Sequence, residues 1–162
     1  MIDVVVITGI RELHSSSRHR VAERVQAVCG KASTMIFGGA LGVDTEALIA
    51  AAEYALYGPP ERIVFVPFTR ESQPAAAQKA IHQYAHIVRE LDLPQGRSAY
   101  LRRNDAMLER AVAVNQASRS ADRSLLLAFT DGRERGGTAY TIRKAAQLGI
   151  RTEIVTVKRG VV

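Results

Sequence analysis

Thr34-Met-Ile-Phe-Gly-Gly-Ala-Leu-Gly-Val-Asp44 is the stretch around which the rest of the chain is read. Met35, Ile36 and Phe37 are consecutive apolar residues and fit a buried strand. Gly38 and Gly39 permit positive φ and close approach of the backbone to a ligand. From about Leu41 the pattern turns helical, with Leu41, Leu48, Ile49 and Ala52 at helical spacing up to Tyr54 and Leu56. A turn that feeds a helix N-terminus aims free backbone N–H groups at one spot, which favours a phosphate or another anion. Asp44 falls in the first turn of this helix. It reads equally as a carboxylate suited to the helix dipole and as an acceptor for a ribose or base hydroxyl.

Working outward, Val4-Val5-Val6-Ile7 is a β-branched run of the kind buried on both faces of a parallel sheet. Thr8-Gly9-Ile10-Arg11 follows as a turn at its carboxyl end, which makes Arg11 a candidate phosphate or ribose contact. Ser15-Ser16-Ser17 can cap a helix over Arg18 to Val28. Arg62 to Phe68 predicts a third strand after the break at Tyr57-Gly-Pro-Pro-Glu61, and Ser72 to Leu93 reads as mostly helical, interrupted near Tyr84 to His86. A long helix is expected from Ser98 to about Ser118, with Arg102, Arg103 and Asn104 near its start. Two cations there oppose the positive end of the helix dipole, a conflict that a bound anion relieves. Asp122 to Phe129 is the fourth strand. Thr130-Asp131-Gly132-Arg-Glu-Arg-Gly-Gly137 is a charged glycine-rich loop, and Thr138 to Leu148 is the helix it feeds, stopped at Gly149. Arg151 to Val157 is the last strand, and Lys158 to Val162 a short tail with no assigned role.

The order β-α-β-α-β-α-α-β-α-β predicts an α/β protein, a Rossmann-like three-layer α/β/α arrangement with a mostly parallel sheet of about five strands. At 162 residues one domain over 1–162 is expected. Two glycine pairs at strand-to-helix turns, with the Thr8–Arg11 turn, converge where such sheets gather their ligands, at the strand carboxyl ends. Lys and Arg number 22 against 16 Asp and Glu, a formal net charge of +6, which suits an anionic partner. A single cysteine, Cys29, excludes an internal disulfide and suits the cytoplasm. No apolar run approaches the ~20 residues of a membrane helix. The start of the chain runs directly into Ile2 to Ile7, so no signal peptide is expected. His14 with His19, and His82 with His86, lack a further ligand at suitable spacing, so no metal site is predicted.

The motifs also resemble a known family. Thr8-Gly9-Ile10-Arg11 resembles the first-strand Gly-Ser-Arg turn of the DNA-processing protein A family. Gly38-Gly39-Ala40-Leu41-Gly42-Val43-Asp44 resembles its Ser-Gly-Gly-Ala-Arg-Gly-Ile-Asp motif, with Leu41 where an arginine is common. Arg103-Asn104 resembles its Arg-Asn motif, and Gly136-Gly137-Thr138-Ala139 its late Ser-Gly-...-Thr-Ala motif. The four come in the family's order and resemble the wider SLOG superfamily of Rossmann-like nucleotide binders. The resemblance implies a phosphate-binding crevice and frequent homodimers. It matches the core of that family, so cooperative recombinase loading is not implied.

The expected activity is non-catalytic binding of a phosphate-bearing nucleotide or of single-stranded DNA. The candidate ligand contacts are Thr8, Gly9, Arg11, Gly38, Gly39, Asp44, Arg103, Asn104, Asp131, Gly136, Gly137 and Thr138; no catalytic residue and no cofactor are predicted. Five Tyr, four Phe and no Trp offer few platforms for stacked bases. Two alternatives stand beside this reading. One is a nucleotide N-glycosidase similar to the LOG-type phosphoribohydrolases, using Asp44, Asp131 or Glu134 as its carboxylate. Against it, Arg135 to Arg143 lacks the proline and the glutamate of the LOG Pro-Gly-Gly-x-Gly-Thr-x-x-Glu motif. The other is a sensor or sequestering protein for a cyclic or ADP-ribose-type nucleotide signal.

Overall fold

The β-branched runs become the centre of one parallel sheet. The computed structural model describes residues 1–55 and 57–160. Leu56, placed at the end of the second predicted helix, and Val161 and Val162 of the tail lie outside the described residues. The elements run β1 (Ile2–Gly9), α1 (Arg18–Cys29), β2 (Ala32–Phe37), α2 (Val43–Tyr54), β3 (Glu61–Val66), α3 (Ala75–Tyr84), β4 (Ile87–Glu90), α4 (Ser98–Ser118), β5 (Ser124–Thr130), α5 (Gly137–Gln147) and β6 (Thr152–Thr156). The sheet order is β4-β3-β2-β1-β5-β6, and all of its pairings are parallel.

Side-chain alternation along β1 assigns the two faces. Val5 and Ile7 pack with Val21 and Val25 of α1, Val43 and Ala47 of α2, and Ile81 of α3. Val4 and Val6 pack with Met107, Leu108 and Ala111 of α4 and Ala145 of α5. The result is the expected three-layer α/β/α fold. The chain leaves β1 in one direction through β2, β3 and β4, then returns across the sheet to β5 on the other side of β1. That reversal between β1 and β5 is a topological switch point, where the loops diverge and open a crevice.

The sixth strand, β4, lies inside the segment read as mostly helical. The helical pattern holds only for Ala75–Tyr84. Ile87 and Val88 then pair with Ile63 and Val64, extending the sheet by a short edge strand. Four residues are too few for periodicity to announce a strand. Ser17 does precede α1, but its hydroxyl does not cap it. Instead it accepts the Lys158 N–H at 2.9 Å, which ties the segment after β6 to the β1–α1 loop. Cys29, at the end of α1, is buried against the Met35 sulfur at 3.6 Å, and burial pushes its thiol up to about 11. It is therefore a packed, unreactive group.

A buried cation closes the ends of two helices. Arg62 of β3 donates from Nε to the Tyr84 carbonyl at 2.7 Å and from Nη1 to the Ala55 carbonyl at 2.9 Å. Its backbone N–H goes to His86 Nδ1 at 2.9 Å. Removing the guanidinium leaves those helix-end carbonyls without this donor. Arg62→Met is expected to lower stability by about 2–3 kcal/mol, read from the urea midpoint. An unchanged midpoint would show that water replaces the donor at no cost.

Candidate functional site: a cationic crevice at the sheet switch point

A crevice of about 270 Å³ opens at the carboxyl ends of β1, β2 and β5. Its floor is built by the β2–α2 turn. The backbone there is closely packed: a Cβ on Gly38 would lie 2.8 Å from Asp44 Oδ2 and 3.0 Å from Arg103 Cζ. Only a glycine lets those two side chains flank the chain. Arg103, one turn into α4 and 4% exposed, donates from Nη1 to the Gly38 carbonyl at 2.6 Å and from Nε to Asn104 Oδ1 at 3.1 Å. Asn104 Nδ2 in turn donates to Thr141 Oγ1 of α5 at 2.9 Å. The Arg-Asn pair near the helix start is thus buried, and it ties the floor to α4 and α5, whereas Arg102 is exposed. Asp44, 5% exposed, accepts the Ala40 N–H at 3.2 Å. Burial pushes its pKa up, against the opposing pull of Arg103, the Ala40 and Gly38 N–H groups and Arg11.

This geometry redistributes the roles expected from sequence. The α2 N-terminus is the anion cradle expected from sequence, but two of the N–H groups at this turn are engaged. Val43 N–H donates to the Ile10 carbonyl at 3.0 Å, and Ala40 N–H is spent on Asp44. Gly39 does not line the crevice; a Cβ there would meet Val66, Val64 and Ile81, and its carbonyl accepts from Gln73 Nε2 at 2.5 Å. The open glycine turn is the other one. Gly136, at φ 101°, precedes α5, no side chain caps that helix, and no atom lies within 4 Å of where its Cβ would stand. Its leading N–H groups belong to the first turn, whose donors have no partner within a helix. Thr8, Gly9, Arg11, Gly38, Asp44, Arg103, Asn104, Asp131, Gly136, Gly137 and Thr138 all line the crevice.

Four cationic or aromatic crevice residues stand outside that reading: Tyr100, Arg133, Arg135 and Arg159. Tyr100, three residues before Arg103 on α4, lies under the Arg11 guanidinium at 4.1 Å from its ring centroid. Arg103 sits 5.8 Å from the same ring, and Phe68 meets it edge-on at 6.0 Å. Stacked guanidinium on an aromatic face holds Arg11 at the mouth. Arg135 lines the wall beside Gly136. Arg159, in the tail left without a role, donates to Asp131 Oδ2 at 2.6 Å and reaches Glu12 Oε2 at 3.3 Å. The i, i+3 spacing of Tyr100 and Arg103 was a usable signal for the first; nothing local marks Arg159. Asp131 also pairs with Arg133 at 3.2 Å, and these bonds hold its carboxyl below the usual range despite burial. Glu134 does not line the crevice. Among the described residues no group of three or more His, Cys, Asp or Glu is placed to hold a metal ion, and no helix is long and apolar enough to cross a membrane.

A doubly wound parallel sheet with a cationic crevice at its switch point places the chain among Rossmann-like α/β/α proteins. Within that class its fold is the one seen in DNA-processing protein A and a molybdenum-cofactor carrier. The Moco carrier protein from Chlamydomonas reinhardtii superposes with a TM-score of 0.59 at 17% identity, over 96% of this chain and 78% of that one. DNA processing protein A from Streptococcus pneumoniae gives 0.66 at 16% identity, over 99% of this chain and 52% of that one. The Helicobacter pylori protein A, solved for its single-stranded DNA binding mode, gives 0.65 at 21% identity, over 94% and 64%. The chain thus spans between about half and two thirds of the length of these two DNA-processing proteins. No family model and no curated protein matches it.

Proposed function

We propose that residues 1–162 are one nucleotide-binding domain, which holds a phosphate-bearing nucleotide or single-stranded DNA in the crevice without transforming it. The observation that carries this is the convergence of Arg11, Arg103, Arg133, Arg135 and Arg159 on one crevice beside the uncapped start of α5. Guanidinium groups and helix-start N–H groups both favour phosphate oxygens. Tyr100, already stacked on Arg11, offers the aromatic surface that base recognition uses. The neighbouring fold supports the same reading, since one of its members was solved for its single-stranded DNA binding mode. Asp44 serves here as an acceptor beneath the ligand and as the internal counter-charge to Arg103. A homodimer, as the motif resemblance implies, and a cytoplasmic location belong to the same reading; sedimentation velocity tests the first.

Arg11 is the lever for the test, because it is exposed and its loss leaves the core intact. Arg11→Ala is expected to keep the unfolding temperature and weaken binding about tenfold, with a shallower salt dependence. The titration series is AMP, ADP-ribose, NAD, a cyclic nucleotide and a short single-stranded oligonucleotide, followed by product analysis of whichever binds. Should none bind, or should Arg11→Ala leave every affinity unchanged, the crevice is not the site. Appearance of a free base in the product analysis would instead move the reading to an N-glycosidase with Asp44 as its carboxylate.

A further inference from the structure

We propose that Arg159 and Arg133 form a reserve anion-binding pair, occupied by Asp131 in the free protein and taken over by a dianionic phosphate monoester. This rests on the crevice reading above and names the class of phosphate it selects.

The pair stands at the boundary between two cavities. Arg133, Asp131, Arg159 and Glu12 line both the crevice and a second, broader cavity beside the start of α1. The wall between the cavities at this point is therefore made of ion pairs. Its backbone is held firmly. Leu13 and Arg159 form an antiparallel bridge, the Gly160 N–H donates to the Glu12 carbonyl at 3.2 Å, and the Arg133 N–H donates to Asp131 Oδ1 at 3.2 Å. The side chains are not equally held. The Asp131 side chain is 10% exposed, that of Arg159 29% and that of Arg133 63%.

Charge then decides which anion can replace Asp131. A guanidinium has five N–H donors, and Arg159 and Arg133 each spend few of theirs on one shared carboxylate oxygen. That carboxylate carries a single charge. A phosphodiester also carries one, so exchanging it for Asp131 gains no charge and leaves Asp131 without its cations. A phosphate monoester carries about −1.5 to −2 near neutral pH and three acceptor oxygens. It can satisfy two forked donors at once and outweigh the displaced carboxylate. The internal aspartate thus acts as a threshold that a monoester passes and a diester does not.

AMP and 3′,5′-cyclic AMP are the probe pair, since they share base and sugar and differ in phosphate charge. Calorimetric titration should show the natural sequence preferring AMP by at least about tenfold. Asp131→Asn frees Arg133 and leaves Arg159 with Glu12 as its one remaining carboxylate partner, so it should tighten both ligands, cyclic AMP more, and narrow the preference at least about threefold. Arg159→Gln should weaken AMP about tenfold and cancel the gain when combined with Asp131→Asn. If Asp131→Asn does not fold, Arg133→Gln, at an exposed position, should weaken AMP at least about threefold and leave cyclic AMP unchanged. Equal affinity for the two probes, or AMP binding that Asp131→Asn weakens or leaves unaltered, overturns the inference. So does unchanged AMP binding in Arg133→Gln. Oligonucleotide binding without AMP binding overturns it while leaving the crevice reading intact; absence of all binding removes both.

Discussion

Gly42→Ala is expected to lose about 3–5 kcal/mol of stability, a large fraction of the about 5–15 kcal/mol that holds an ordinary domain folded. Gly42 has φ 77° and ψ −125°, a backbone region that residues with a Cβ rarely adopt. The added Cβ would also lie 2.4 Å from the Arg11 carbonyl oxygen and 2.5 Å from that of Ile10. These are backbone atoms, so no rotamer change relieves the clash. The Ile10 carbonyl accepts the Val43 N–H from the first turn of α2, so the glycine is the point where the β1 and β2 loops interlock. Strain of about 1–3 kcal/mol from the dihedral and about 1–3 kcal/mol from overpacking combine at one atom. Urea unfolding followed by circular dichroism measures the loss. The comparison that isolates the cause is Gly136→Ala, where φ is also positive but no atom lies within 4 Å of the added Cβ. That variant should lose only the dihedral part. Equal losses would mean that the interlock with the β1 loop contributes nothing.

Arg103→Met is expected to cost about 3–5 kcal/mol near neutral pH, because it strands a buried carboxylate. Arg103 carries the positive charge nearest in effect to Asp44, and its Nη1 donates to the Gly38 carbonyl. The loss should depend on pH in one direction. Asp44 already has a folded-state pKa raised above 3.8 by burial. An acid raised on folding binds its proton more tightly in the folded state. Its protonated form is the stable one, and stability falls as pH rises from the unfolded pKa through the folded one. Removing Arg103 pushes Asp44 further up and extends that window toward neutrality. The gap in unfolding midpoint between Arg103→Met and the natural sequence should therefore narrow as the pH is lowered toward 5. Adding Asp44→Asn should recover part of the loss at pH 7 and flatten its pH dependence. A gap that stays constant with pH, with no recovery in the double variant, would show that Arg103 acts only through its hydrogen bonds to the Gly38 carbonyl and Asn104 Oδ1. Nucleotide affinity is expected to fall with the same substitution, since the floor of the crevice loses its fixed cation.

The class of fold was legible because its determinants are local. Val4 to Ile7, Met35 to Phe37 and Leu125 to Phe129 are short apolar runs that suit strands covered on both faces, and the segments between them carry helical periodicity. Gly38, Arg103 and Gly136 also stand out locally, as a glycine turn, a cation against a helix dipole and a second glycine turn. What those residues do was not legible. Both glycine turns read as phosphate cradles, yet two N–H groups at the first, those of Val43 and Ala40, go to Ile10 and Asp44. Asp131 read as a ligand contact, yet Arg159 and Arg133 already hold its carboxylate. The difference lies in sequence separation: Arg103 meets Gly38 across 65 positions, and Arg159 meets Glu12 across 147. Periodicity and turn chemistry act over a few residues, and so they determined five of the six strands, most of the helices and a parallel sheet with its loops gathered at the strand carboxyl ends. Which donor is left for a ligand depends on which polar groups the folded chain has already paired. That is a property of side chains brought together from distant loops, and only the tertiary structure decided it.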